Sequence, residues 1–261
     1  MRIMGNNIHR PLILISNDDG YDMPGIEFLW TLAREWGDVI VVAPDGPRSG
    51  AAMSVTFQTP LRCRLIRHEE GLDIFACSGT PVDCVKLALA YLCPRRPDIV
   101  LAGINHGDNS AVNVHYSGTM GVVIEGCMKG IPSIGFSYQS HDHDINFEPM
   151  RTYINKLLNH VVTHGLPAGV CLNVNAPDAS AFRGMKVCNM GHGLWHHELE
   201  KREHPRGGEY YWLVGEFSTE THDSENADHR CLSEGYVTIT PVKIDMTAWE
   251  VMEELKACVT I

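Results

Sequence analysis

The sequence predicts an α/β protein of the doubly wound, Rossmann-like kind: a mostly parallel sheet with an added β-hairpin arm and a C-terminal helix. Three observations carry that expectation. Four apolar runs lack the alternation of a half-exposed strand, helical stretches separate them, and the loops that follow the runs concentrate oxygen-bearing side chains. At 261 residues, 44% hydrophobic and 20% charged, the chain has ordinary globular composition. It reads as one domain over residues 1–261, with a protruding polar arm at 189–231 suited to oligomerisation.

The apolar runs are Leu12-Ile13-Leu14-Ile15, residues 39–43, residues 99–102 and Ser133-Ile134-Gly135-Phe136. Between the first two, residues 24–36 place Ile26, Leu29, Leu32 and Ala33 on one helical face. Residues 55–75 have β character and predict a hairpin or strand pair beside the main sheet, with Thr56-Phe57 included. Residues 80–92 form a helix capped by Thr80 with Pro81 at its first position, and residues 120–129 a third helix stopped by Gly130 and Pro132. The polar stretch 189–231 holds one clear strand, Tyr210-Tyr211-Trp212-Leu213-Val214. Residues 235–241 alternate as a strand, and a helix spans 247–258.

Charge narrows the partners. Lys and Arg total 21 against 32 Asp and Glu, a net charge of -11, and no basic cluster larger than a pair exists. Binding a nucleic-acid polymer needs a basic face, so that partner is excluded; a phosphate ligand needs a metal ion or oriented amides instead. No apolar run reaches the roughly 20 residues of a membrane helix, and the polar residues 1–11 show no leader, so the cytoplasm is the expected compartment. The nine cysteines are odd in number and none are spaced Cys-x-x-Cys, which disfavours a disulfide or zinc framework.

In a doubly wound sheet, ligands bind at the carboxyl ends of the strands. Here those ends carry Ser16-Asn17-Asp18-Asp19-Gly20, then Asp45-Gly46-Pro47-Arg48-Ser49-Gly50, then Asn105-His106-Gly107-Asp108-Asn109. Adjacent carboxylates repel unless something positive neutralises them, and oxygen donors without compulsory imidazole or thiolate suit Mg²⁺ or Mn²⁺. Asp18 and Asp19 can share an ion only if the chain bends, which Gly20 permits; alternatively one of them merely caps the next helix. Tyr116-Ser117-Gly118-Thr119 precedes a helix and reads either as an anion seat or as an ordinary cap. No dinucleotide fingerprint, Walker loop or nucleophile elbow appears. His141-Asp142-His143-Asp144 and His196-His197 offer donors for a transition metal but read first as exposed polar segments.

The order Ile13-Leu14-Ile15-Ser16-Asn17-Asp18-Asp19-Gly20, Arg48-Ser49-Gly50, Ser78-Gly79-Thr80-Pro81, Gly103-Ile104-Asn105-His106-Gly107-Asp108-Asn109, Tyr116-Ser117-Gly118-Thr119 and Leu172-Asn173-Val174-Asn175 resembles the SurE family of 5'-nucleotidases over nearly the whole chain. The resemblance implies a phosphomonoesterase that hydrolyses nucleoside 5'-monophosphates by a water activated at one divalent cation per subunit, Mg²⁺ or Mn²⁺. Implied metal ligands are Asp18, Asp19, Ser49 and Asn105. Ser117, Gly118 and Thr119 are the implied phosphate seat, and Asn17 and Asn109 flank the metal or donate to phosphate. An aspartyl-phosphate route through Asp18 ranks second, and a non-catalytic nucleotide- or metal-binding protein is the alternative function. The resemblance also implies a homodimer or homotetramer built by exchange of C-terminal elements. Asn113 stands where the family frequently has Asp, and the 189–231 stretch matches least.

Overall fold

The computed structural model describes residues 10–142, 144–219 and 223–259; the polar N-terminal residues 1–9 and His143 of the histidine-aspartate segment lie outside the described residues. Chain order begins β1 (Leu12–Ser16), α1 (Pro24–Ala33), β2 (Asp38–Pro44), β3 (Cys63–Glu69), β4 (Leu72–Cys77), α2 (Pro81–Leu87), β5 (Ile99–His106), α3 (Gly118–Met128) and β6 (Ser133–Tyr138). It continues through α4 (Arg151–His164), β7 (Val170–Ala176), β8 (Met185–Val187), β9 (Gly193–His196), β10 (Leu199–Glu203), β11 (Glu209–Leu213) and β12 (Glu216–Thr219). It closes with α5 (Asp228–Ser233), β13 (Val237–Lys243) and α6 (Met252–Val259).

A nine-stranded sheet in the order β3-β4-β2-β1-β5-β6-β7-β13-β8 forms the body. From β4 through β7 all neighbours are parallel, while β3 and β13 pair antiparallel with β4 and β7. Successive residues of the buried strands feed opposite faces. Ile13, Ile15, Val39 and Val41 pack with the apolar sides of α1 and α4, whereas Leu12, Leu14, Ile40 and Val42 pack with those of α2 and α3. Burial on both faces explains why these strands read as unbroken apolar runs.

The hairpin expected beside the sheet is part of it: β4 pairs parallel with β2, and β3 forms the edge. Thr56-Phe57 belongs to neither strand, and Phe57 is exposed. The cap expected at Thr80 is present, with its hydroxyl accepting from the Asp83 N–H at 3.1 Å while the Asp83 carboxylate accepts from the Thr80 N–H at 2.9 Å. The Tyr210-centred strand is β11, which forms a hairpin with β10. Below it, β9 pairs with β12. This two-stage ribbon breaks at His197, with φ 52°, and at Gly215, with φ 144°. Residues 227–232 lie in the stretch assigned to the arm, yet Ala227, Asp228, Cys231 and Leu232 are buried and α5 packs against β13. The exposed ribbon is therefore shorter than 189–231.

Candidate active site

The site is built where β1, β2 and β5 end. Asn17 closes the first loop on itself: its Nδ2 donates to the Gly20 carbonyl at 2.8 Å and its Oδ1 accepts from the Gly20 N–H at 3.2 Å. Gly20 takes φ 127°, which only glycine adopts freely, and this supplies the expected bend. Each polar atom of the Asn17 amide thus makes one hydrogen bond within the loop, which fixes the residue directly before Asp18.

The two carboxylates meet different hydrogen-bond partners while staying close enough for the charge of one to act on the other. Asp18 turns to the N-terminus of α3, where the Thr119 hydroxyl donates to Oδ1 at 2.6 Å and the Gly118 N–H donates to Oδ2 at 3.1 Å. Asp19 turns to the end of β5, its Oδ2 accepting from the His106 N–H at 3.3 Å and lying 3.2 Å from His106 Nδ1. Burial pushes the Asp18 carboxyl up to about 6, and the charge of Asp19 adds to that rise, outweighing the hydrogen bonds from Thr119 and Gly118. Gly118 is required by contact rather than by φ, since a Cβ there would lie 2.7 Å from the Asp18 Cβ.

These contacts revise the expected phosphate seat. Thr119 is fully buried and its hydroxyl proton goes to Asp18, so it positions a carboxylate instead of facing a ligand. The Gly118 amide does the same. Ser117 keeps both readings: its Oγ accepts from the Met120 N–H at 3.0 Å as a helix cap, and the residue also lines the cleft. Each Asp18 oxygen thus accepts one hydrogen bond, and its remaining lone pairs stay available to a ligand.

The third loop is set by an irregularity. Pairing of β5 with β6 breaks register between Ala102 and Asn105, which re-aims the end of the strand. Asn105 Nδ2 then donates to the Gly107 carbonyl at 2.7 Å. Asn109 is locked by β6 and β7, its amide nitrogen donating to Ser137 Oγ at 2.8 Å and its backbone N–H to Asn175 Oδ1 at 2.7 Å. Asn173 Nδ2 donates to the Asn109 carbonyl at 2.8 Å.

Asp18, Ser49, Asn105, Asn109 and Ser117 share one cleft of about 400 Å³. The three loops singled out in the sequence do meet, with Ser49 exposed on the cleft wall and Asp19 held behind His106. Among the described residues no cluster of three or more His, Cys, Asp or Glu forms a metal site. The oxygen set of two carboxylates, a hydroxyl and an amide is what a hard cation prefers. Sequence reasoning gave no role to His106 or to the Asn173–Asn175 pair, read His141 as part of an exposed polar segment, and passed over Trp195 and Phe217. The paired asparagines two residues apart in an otherwise apolar strand were a usable signal for a buried polar network.

Fold and site together define a Rossmann-like α/β protein with an oxygen-lined cleft at the carboxyl edge of its parallel strands. The chain belongs to the survival protein SurE family, whose model matches residues 13–197. It is 53% identical to the 5'-nucleotidase SurE of Phocaeicola vulgatus over 247 residues, covering 95% of this chain and 96% of that one. Identity to the 5'-nucleotidase SurE of Bacteroides thetaiotaomicron is 49%, over 94% of this chain and 95% of that protein. The crystal structure of the SurE protein from Aquifex aeolicus superimposes with a TM-score of 0.80 at 36% identity, over 95% of this chain and 99% of that one.

Proposed function

We propose that this protein is a 5'-nucleotidase that converts a nucleoside 5'-monophosphate and water into the nucleoside and inorganic phosphate. The observation that carries the reading is the single cleft shared by Asp18, Ser49, Asn105 and Ser117. The relatives named 5'-nucleotidase SurE, 53% and 49% identical, supply the reaction class.

Asp18, Asp19, Ser49 and Asn105 would hold one divalent cation, Mg²⁺ or Mn²⁺. The residues fit it: a buried carboxyl raised to about 6 beside a second carboxylate is a site short of positive charge. Such an ion supplies charge neutralisation for phosphoryl oxygens and a lowered pKa for water. The chain contributes the rest. Thr119 and Gly118 fix the Asp18 carboxylate, and His106 fixes Asp19. Ser117, at the start of α3, presents a hydroxyl and a helix N-terminus to the ester. Asn109, braced by Ser137 and Asn175, holds the third loop against the cleft.

No helix among the described residues is long and apolar enough to cross a membrane. All nine thiols are free, which fits a reducing compartment such as the cytoplasm. The exposed ribbon of β9 to β12 and the C-terminal helix are read as the surfaces of a homodimer or homotetramer.

Phosphate release from AMP tests the reading. Turnover is expected with added Mg²⁺ or Mn²⁺, and its loss in excess chelator and in Asp19→Asn. Full activity in EDTA would remove the metal role.

A further inference from the structure

The cleft has two chemically different kinds of lining. One is the oxygen-bearing set Asp18, Ser49 and Asn105; the other is the aromatic pair Trp195 of β9 and Phe217 of β12, from the base of the ribbon. The two rings touch at 5.4 Å between centroids and 51° between planes. Trp195 is 37% exposed, a large apolar face left open toward the cleft. Its orientation is held, since the indole N–H donates to Asn113 Oδ1 at 3.0 Å. Two glycines seat the pair. A Cβ at Gly193 would lie 2.4 Å from the Phe217 ring, and one at Gly215 would lie 3.0 Å from the Trp195 ring.

We infer that the Trp195 indole, backed by Phe217 and anchored by Asn113, is the platform on which the base of the substrate nucleotide stacks. This rests on the 5'-nucleotidase reading and deepens it. An ester bound with its phosphate at the carboxylates keeps the rest of the molecule within the same cleft, whose about 400 Å³ suits a small molecule. What meets the indole there must be flat and weakly polar, and a nucleobase is both. A ring held by one hydrogen bond loses little freedom when a ligand arrives, so stacking translates into affinity. Stacking does not read base edges, so the platform selects nucleotides over esters without a base and favours the larger purines.

The test compares wild type, Trp195→Ala and Trp195→Phe. Steady-state kinetics on AMP and on ribose 5-phosphate give the ratio of their kcat/KM values. That ratio is expected to fall on the order of tenfold in Trp195→Ala, through KM for AMP, and to recover largely in Trp195→Phe. Calorimetry with adenosine, which has a base but no phosphate, is expected to show binding to wild type and on the order of tenfold weaker binding to Trp195→Ala. Parallel losses on both esters would mean that the indole merely props the cleft, and unchanged AMP kinetics or no adenosine binding to wild type would equally overturn the platform. If wild type releases phosphate from neither ester, the nucleotidase reading fails by itself, and the adenosine titration still decides the platform.

Discussion

At residue scale, Asp18 shows a conflict between function and stability. Its carboxyl is buried against α3 and raised to about 6 from an ordinary 3.8. Below about pH 4 it is protonated in both the folded and the unfolded chain and costs nothing. As pH rises from about 4 to 6 the unfolded chain ionises first, so stability falls. Above 6 the folded carboxyl ionises while buried, and the penalty reaches roughly 2–3 kcal/mol. Asp18→Asn should therefore abolish phosphate release yet melt higher than wild type in the metal-free protein at pH 8, with the difference vanishing near pH 4. An amide fits the site: its oxygen can accept from Gly118 while its NH₂ donates to the Thr119 hydroxyl, which serves either way. A lower melting temperature for Asp18→Asn at pH 8 would contradict this account. Thr119→Val should slow turnover by about one to two powers of ten by freeing the carboxylate, whereas Thr119→Ser should keep most of it. The residue types at this site were legible in the sequence, but their pairing was not. Thr119 lies 101 positions from Asp18, and only the folded chain decides whether its hydroxyl meets a ligand or a carboxylate.

At the scale of elements, legibility followed burial. The strands β1, β2, β5 and β6 are covered on both faces and were readable as apolar runs; α1 opens on a proline and buries one apolar face, and α2 and α3 begin at the caps Thr80 and Ser117. The helix α4 was missed although Ile154, Leu157, Leu158 and Val161 follow the helical period, because polar residues dominate the rest of it. The strand β7 was masked by its own Asn173 and Asn175, whose amides serve the loop after β5. The three residues of β8 and the six of α5 are too short for any period to emerge. Yet α5 begins with a residue that joins several elements. The buried Asp228 carboxylate accepts from the N–H of Ala111 at 3.1 Å, of Gly191 at 2.9 Å and of His229 at 2.8 Å, and lies 3.3 Å from the Thr240 hydroxyl. It ties the loop after β5, the root of the ribbon and β13 together, and it holds Ala111 at φ 50°. Asp228→Asn turns an NH₂ toward some of these donors, so a loss of about 2–4 kcal/mol is expected in urea unfolding. A change within about 0.5 kcal/mol, ordinary for an exposed position, would show that the junction is redundant.

On the whole molecule, two protruding segments among the described residues leave several apolar side chains uncovered. The ribbon exposes Tyr211, Trp212 and Leu213 on β11, and a two-stranded hairpin of this kind is marginal on its own in water. The C-terminal segment exposes Met246, Trp249, Leu255 and Val259, and α6 buries no residue against its own chain. Isolated exposed hydrophobics are ordinary, but contiguous groups on protruding elements mark contact surfaces. A second copy of the chain is the economical cover, because an exchanged element meets in its partner the surface it would meet at home. If each surface closes around its own two-fold axis, the expected assembly is a tetramer, and removing either surface should leave a dimer. Light scattering at micromolar concentration should accordingly give wild type a mass of two or four times 29.0 kDa. Trp249→Lys combined with Leu255→Lys should lower that mass, as should Leu213→Lys combined with Trp212→Ser, and AMP hydrolysis should survive better in the first pair. The second pair sits on the ribbon whose base supplies Trp195 and Phe217 to the cleft, so loss of its partner should loosen that wall and raise KM for AMP. A monodisperse wild-type monomer near 29.0 kDa would refute the assembly and leave both apolar surfaces without a cover.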